Sequence, residues 1–539
     1  MAINQGEIEV SKKTLLHISE GIYRTEGSSI KELISNAFDA NATKVVINTN
    51  YPTFDILTCQ DDGMGMTEDE FLRIVNGGIG DSSKATIQEN QGSRPTIGKL
   101  GIGILAIAQI CRSFTIISHH KESKTAFKGR MVFRTDVDKV AKEKSLKSVG
   151  NQRNYEIGTW ELDERYEYDP KKKGVLVFTK DLRQAYIKRF RESKAILEAP
   201  QNETPLDFET LLNLFYINEY RAIKELGPYY ELIWELCQLA PLPYFRDTPL
   251  REEITDHITL YQNEDIDQHE NGTSFIEAKQ AELSSFDFAV VFDDIQLYRG
   301  IKLPFPLWRH NHLQECQLFY FEYNSIVRKR PLIFKAYFFA QESAIKPRDL
   351  KGLQIRIKNV GIGLNDATFI KYDKIESPRD NWISGEIYVE EGLESALNID
   401  RDSFNENDEH YFILRQQIHS FLSSKVFPTV SSLQRKRNKE KRARDAASRA
   451  VEMREELEEL FSEHSGFSID FDNSIEELIV ETGKLSITLP EDILIAPFKK
   501  RKDFFSSHIM DFIQVFRETS DDGTGISIGI KKLTSIFLG

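Results

Sequence analysis

This chain of 539 residues has little that would favour a crosslinked, metal-built or membrane-embedded protein. Its four cysteines, Cys59, Cys111, Cys237 and Cys316, form no Cys-x-x-Cys pair, which argues against zinc ribbons and disulfide scaffolds. Reduced, structural thiols in a cytoplasmic protein are the expectation. His310 and His312 lack companion ligands, so a strand is expected there rather than a metal site. Long apolar runs are missing too. The longest, Ile102 to Cys111, is about half a membrane span, and no basic-then-apolar leader opens the chain. Positive charge is in deficit, with 70 Lys and Arg against 84 Asp and Glu. The net charge of −14 disfavours a broad nucleic-acid surface. Internal repeats and low-complexity tracts are absent as well.

What is present suits a folded protein with more than one core. Hydrophobic residues make up 40% and aromatics 11%, and the length predicts two to four domains. The densest signal is Glu32-Leu-Ile-Ser-Asn36-Ala-Phe-Asp39-Ala-Asn41. An acid, a carboxamide and a second acid stand at i, i+4 and i+7, one face of one helix. Leu33, Ile34, Ala37 and Phe38 fill the other face.

A β-branched run, Thr43 to Thr49, and a second strand, Phe54 to Cys59, follow. Then comes Asp61-Asp62-Gly63-Met64-Gly65-Met66-Thr67, where the glycines turn the chain beside a carboxylate at a strand end. Gly77 to Thr96, with Gly80, Ser82, Ser83 and Lys84, is poor in large apolar residues and reads as a mobile loop. Gly98-Lys99-Leu100-Gly101-Ile102-Gly103 opens an apolar helical run. Glycines there let backbone approach a ligand, and the first N–H groups of the helix suit a polyphosphate. The order is GxxGxG, unlike the GxGxxG of a dinucleotide-binding unit.

In this order and spacing, the four motifs resemble those of the GHKL ATPases (gyrase B, the 90-kDa heat-shock chaperones, histidine kinases, MutL), with MORC-type proteins close by. The resemblance implies a Bergerat-type α/β sandwich over residues 1–185, ATP as ligand and Mg²⁺ as its companion ion. It implies that Glu32 is the general base and Asn36 the protein ligand of Mg²⁺, a hard cation that keeps several waters. Asp39 would support the pocket. Counting back from Gly65, the pattern assigns the adenine amine to Asp61 rather than Asp62, with Gly63, Gly65 and Met66 lining the pocket. The Gly77–Thr96 loop takes the place of the ATP lid, where closure commonly sets turnover. Ser83 and Lys84 are phosphate-contact candidates, Lys84 equally readable as a solvated lysine. Gly98, Lys99, Leu100, Gly101, Ile102 and Gly103 would cradle the phosphates. In the late strand Gly174 to Thr179, Val175 stands where relatives carry threonine.

The remaining expectations are coarser. Residues 186–285 read as a helical connector that turns irregular, polar and poorly patterned from Asp247 to Glu282, 286–428 as a mixed α/β middle domain, 429–462 as one long charged helix and 463–539 as a small α+β domain, giving an α+β chain overall. Ala396-Leu-Asn-Ile-Asp400-Arg401 resembles the chaperone segment that presents an arginine to the γ-phosphate. This makes Arg401 the trans-domain cation, with a structural Asp–Arg pair as the alternative and Lys346 and Arg348 as rivals. ATP-linked homodimerisation through a strap at Met1 to Val10 is implied, gripping a protein client or holding operon partners. The basic block at 435–444 leaves DNA open as a partner, though not a favoured one. A scaffold that binds ATP without turnover is the third reading. No phospho-acceptor helix pair precedes the motifs, which disfavours a histidine kinase.

Overall fold

The computed structural model describes residues 3–11, 26–76, 107–123, 125–133, 154–166, 173–192, 207–216, 223–245, 258–261, 271–285, 287–299, 308–309, 312–313, 316–373, 379–398, 402–462, 467–481, 484–519 and 523–539. These fall into two compact units, Met1–Ser431 and Ser432–Gly539.

In chain order, the first unit begins β1 (Ile3–Ser11), α1 (Glu26–Asp39), β2 (Lys44–Asn48), β3 (Leu57–Asp61), α2 (Glu68–Val75), β4 (Ser113–His119), β5 (Ala126–Phe133), β6 (Asn154–Tyr166) and β7 (Gly174–Thr179). It continues α3 (Gln184–Arg191), α4 (Phe208–Tyr216), α5 (Pro228–Leu239), β8 (Ile258–Tyr261), α6 (Asn271–Ser285), β9 (Ala289–Phe292) and β10 (Ile295–Leu297). Then follow β11 (Cys316–Val327), β12 (Arg330–Gln341), β13 (Gly352–Ile357), β14 (Val360–Asp366), β15 (Ile383–Glu391) and α7 (Glu409–Phe421).

A nine-stranded sheet runs β1-β6-β5-β4-β7-β3-β2-β9-β10, antiparallel except where β9 joins β2 in parallel. Alternation drives its strands. In β2, Val45 and Ile47 are fully buried while Lys44, Val46 and Asn48 face outward. Ile30, Ile34, Ala37 and Phe38 of α1 are buried. The Phe38 ring meets Phe288 edge-on at 5.1 Å. Emptying a buried phenylalanine site of that kind costs about 3–5 kcal/mol. On its other side α1 packs against α5, and Gly27 stands where any side chain would strike Glu235 of α5.

One strand departs from expectation. Within the run from Phe286 to Phe292, read in the sequence as the start of the middle block, Ala289–Phe292 forms β9 of the nine-stranded sheet, pairing with Lys44 to Ile47. A buried Asp293 holds the joint, accepting from the N–H of Thr49 at 2.6 Å and from the Tyr229 hydroxyl at 3.0 Å. The sequence strand from Phe54 also starts later, at Leu57, because Phe54 itself sits at φ 53 in a turn after the cis Tyr51–Pro52 bond.

The second sheet runs β14-β13-β15-β12-β11-β8. β13 is buried along its whole length, as expected of a strand covered on both faces. Its core contains charge. Arg356 Nε donates to Glu386 Oε1 at 2.6 Å, with both side chains fully buried. The other carboxylate oxygen of Glu386 accepts from the hydroxyls of Tyr244 at 2.6 Å, Tyr388 at 3.0 Å and Tyr337. Arg299, also fully buried, donates to the Tyr388 hydroxyl and to the Asn359 carbonyl.

The helix α8 (Phe427–Ser462) continues from α7 through a short π-helical turn at Leu422–Val426. In the second unit follow β16 (Ser468–Asp472), β17 (Ile479–Glu481), β18 (Ser486–Pro490), α9 (Phe498–Ser507), α10 (Ile509–Thr519) and α11 (Gly523–Leu538). Leu457 and Phe461 of α8 join Leu489, Phe512, Phe516 and Phe537 in a separate apolar core. The whole is α+β.

Candidate nucleotide site

Helix α1 carries the acidic face. Glu32 is 1% exposed, while Asn36 and Asp39 are half-buried, so the stripe is not a solvated surface. The Asn36 side chain makes no hydrogen bond among the described residues, which leaves its carbonyl oxygen available to a ligand.

Strand β3 ends at Asp61. Its Oδ1 accepts from the N–H of Gly63 at 2.9 Å and of Val175 at 3.3 Å. Oδ2 takes part in no hydrogen bond among the described residues. Burial pushes the carboxyl up to about 6, against the opposing pull of those two N–H donors; Asp62 adds to the rise, and Lys121 opposes it weakly. A carboxylate with one oxygen fixed and the other presented is suited to accept from an amine.

Asp62 is used differently. It accepts from the N–H of Thr43 at 2.7 Å, the N–H of Lys44 at 2.8 Å and the Thr43 hydroxyl at 2.5 Å. Those bonds lock the α1–β2 connection. Partial burial works the other way, yet the Thr43 and Lys44 donors hold this carboxyl below its ordinary value.

Glycines form the floor. At Gly65, φ is 78° and a Cβ would lie 2.4 Å from the His119 carbonyl oxygen. At Gly174, φ is 101° and a Cβ would lie 2.2 Å from the Asp61 carbonyl oxygen. Only glycine fits either place. At Gly63 a Cβ would crowd Ala40 at 2.9 Å. The turn is tied on both flanks: Met64 N–H donates to the Ala40 carbonyl at 2.8 Å, and Lys121 N–H to the Met64 carbonyl at 2.9 Å. Met66, half-buried, donates its N–H to Ser118 Oγ at 2.7 Å, and the Ser118 hydroxyl returns to the Met66 carbonyl. Thr67 and Glu70 then form a reciprocal cap that starts α2.

The structure thus brings Glu32, Asn36, Asp39, Asp61, Gly63, Gly65 and Met66 onto α1 and the adjoining β3 turn. Ser83, Lys84, Gly98, Lys99, Leu100, Gly101, Ile102, Gly103 and Arg401 lie outside the described residues. Of the rival cations, Lys346 is half-buried and Arg348 exposed.

Residues 23–159 match the family described as histidine kinase-, DNA gyrase B-, and HSP90-like ATPase. This segment is a GHKL ATPase domain. ATP binding is therefore supported for this segment. Over 113 residues the chain is also 36% identical to a putative type II restriction enzyme, HgiDII, of Herpetosiphon aurantiacus. That match covers 21% of this chain and 18% of the relative, so the chain spans about a fifth of that protein's length.

Two features around these residues were not legible in the sequence. One is the backbone N–H of Val175: a substituted threonine drew attention to the side chain, while the main chain does the holding. The other is Lys31, next to Glu32, which is 1% exposed and pairs with Asp402 at 2.8 Å. Among the described residues no group of three or more His, Cys, Asp or Glu could hold a metal. No described helix is long and apolar enough to cross a membrane.

Proposed function

We propose that this protein hydrolyses ATP with Mg²⁺ and couples turnover to closure of its middle region over the nucleotide, acting as a homodimer on a protein client or assembly. The observation that supports the reading best is the half-anchored Asp61 carboxylate, in a chain whose following turn is tied to Ala40 just past the end of α1.

In this reading Asp61 Oδ2 accepts the exocyclic amine of adenine, and Gly63, Gly65 and Met66 line the base. Asp39 supports the pocket. Glu32 takes the proton of the attacking water. The donor chemistry of Asn36 fits a magnesium site: one neutral oxygen, with the remaining ligands left to phosphates and water. When bound, that ion neutralises phosphate charge. Ser83, Lys84 and the 98–103 segment are proposed phosphate contacts, and Arg401 the cation that senses closure. β1 lies at an edge of the nine-stranded sheet, a position from which an N-terminal strap could be exchanged between two copies.

Steady-state phosphate release by wild type and Glu32→Ala tests the hydrolytic role. A fall of roughly 10²–10⁴-fold with ATP binding retained is expected. Equal release by both proteins defeats the base assignment. Light scattering with and without a non-hydrolysable ATP analogue tests the dimer, and an unchanged mass counts against it.

A second reading, an ATP-gated clamp on DNA, rests on the basic run Arg435 to Arg444, exposed on almost every face of α8, and on the partial similarity to a restriction enzyme. Neutralising several phosphates must give a steep log–log salt dependence of affinity, so a flat one removes this reading.

A further inference from the structure

A lysine with 1% exposure is costly unless its charge is met, and buried ion pairs seldom add net stability over apolar packing. Lys31 therefore calls for a reason beyond stability. It lies one residue before the proposed base on α1, and its partner Asp402 is 371 positions away in a turn beyond the second sheet.

That turn is stiff. The N–H of Asn398 donates to the Ser403 carbonyl at 3.0 Å, and its side-chain amide donates to the Ser403 hydroxyl at 2.9 Å. Asn405 N–H donates to the Ala396 carbonyl at 2.7 Å, and Leu397 bridges Phe404. Behind it, the Phe404 ring stacks on Tyr411 at 4.9 Å, and Asp408 caps α7. Below it, Gly363 of β14 (φ 67°) leaves room for the Asp402 carbonyl, which a Cβ would meet at 2.8 Å. Asp402 is thus a carboxylate on a braced platform, and Lys31 is the point on α1 where that platform touches down.

We infer that the Lys31–Asp402 pair is a positioning pin: it registers the segment 402–408 against the helix bearing Glu32, so that hydrolysis requires the middle region to be docked. The inference rests on the proposed ATPase reading. Neither residue touches the nucleotide; both act through the placement of α1 and the turn. Small displacements of a reacting group cost about 10²-fold in rate while leaving binding largely intact.

The test uses the full chain, with kcat from phosphate release, ATP affinity from calorimetry, and backbone hydrogen exchange over 402–408. Asp402→Asn, nearly isosteric at a site 16% exposed, is expected to lower kcat roughly 10–100-fold, leave ATP affinity within about twofold and speed exchange in the turn. The charge swap Lys31→Asp with Asp402→Lys is expected to recover part of both losses. Wild-type kcat and wild-type exchange in Asp402→Asn overturn the pin. So does parallel loss of kcat and affinity, which would mean that the pair only holds the domain together. If wild type binds ATP but releases no phosphate, the hydrolytic reading falls and the exchange arm alone decides the pin.

Discussion

The N–H of Val175 donates to Oδ1 of Asp61 across 114 positions of sequence, tying β7 to the end of β3 and fixing which carboxylate oxygen remains for a ligand. The bond is main-chain, so replacing the usual threonine by valine leaves it intact. Two neighbouring strands thereby aim one side chain.

Asp61→Asn should weaken ATP binding about 10–100-fold, because an amide nitrogen or a neutral oxygen replaces a charged acceptor. Wild-type affinity should also depend on pH. Burial raises the carboxyl to about 6, and only the ionised form accepts well from an amine. Affinity should therefore rise with pH up to about 6 and level off above it, while the Asn variant stays flat. For stability the sign is opposite to that of a salt-bridged acid. The folded protein holds this proton more tightly than the unfolded chain, so stability falls as pH rises from the ordinary carboxylate value to about 6. Calorimetric titrations between pH 5 and pH 8 (roughly, bracketing that value) check the first claim.

Asp62→Ala separates the two neighbouring acids. It removes the acceptor for Thr43 and Lys44, and a loss of roughly 1 kcal/mol is expected from a hydrogen-bonded turn of this type. ATP affinity of the folded protein should be unchanged. A melt and a titration on the same sample read both, and a large affinity loss would mean that the base is read from Asp62 instead.

Gly174→Ala should be far more damaging than its size suggests. The new Cβ would press within 2.2 Å of the Asp61 carbonyl at a backbone angle that suits glycine, so β7 must shift from β3. We expect a lower melting temperature and lost ATP binding together. Retention of both would show that the strand pair is more compliant than drawn.

Glu386→Gln in the second sheet should cost about 3–5 kcal/mol, because Arg356 would keep its charge in a dry core without a counter-charge. Denaturant unfolding gives the value directly. A near-neutral result would mean that the Asn359 carbonyl and the Gln354 amide carbonyl suffice as acceptors for the guanidinium.

Motifs were legible where chemistry restricts the residue. The spacing of Glu32, Asn36 and Asp39 indicated a helix, which α1 is, while the different surroundings of Asp61 and Asp62, the latter bonded to Thr43 and Lys44, could not be read from their adjacency. Lys31 was not legible, since a lysine on an acidic helix reads as solvated until its distant partner is seen. Nor was the sheet membership of Ala289–Phe292, because an apolar tetrapeptide suits any sheet and only tertiary contact selects β2. The β11 strand and its hairpin were missed for a local reason. Its turn residues Arg328 and Lys329 sit at φ 44° and 69°, as do Lys358 and Asn359 at 48° and 70°, without the Asn-Gly or Asp-Gly signal that usually marks such turns. Helix α6 was missed because its sequence has little amphipathic periodicity.

Because β9 and β10 lie beyond residue 288, the nine-stranded sheet stays one parallel pairing short until more than half of the polypeptide has left the ribosome. During that interval β2 presents a bare flank, with Val46 among its outward groups, to whatever strand comes near. Anyone dissecting the protein should therefore keep Met1–Ser431 whole rather than cut near residue 190, and nascent chains of intermediate length are the ones that would need a holdase.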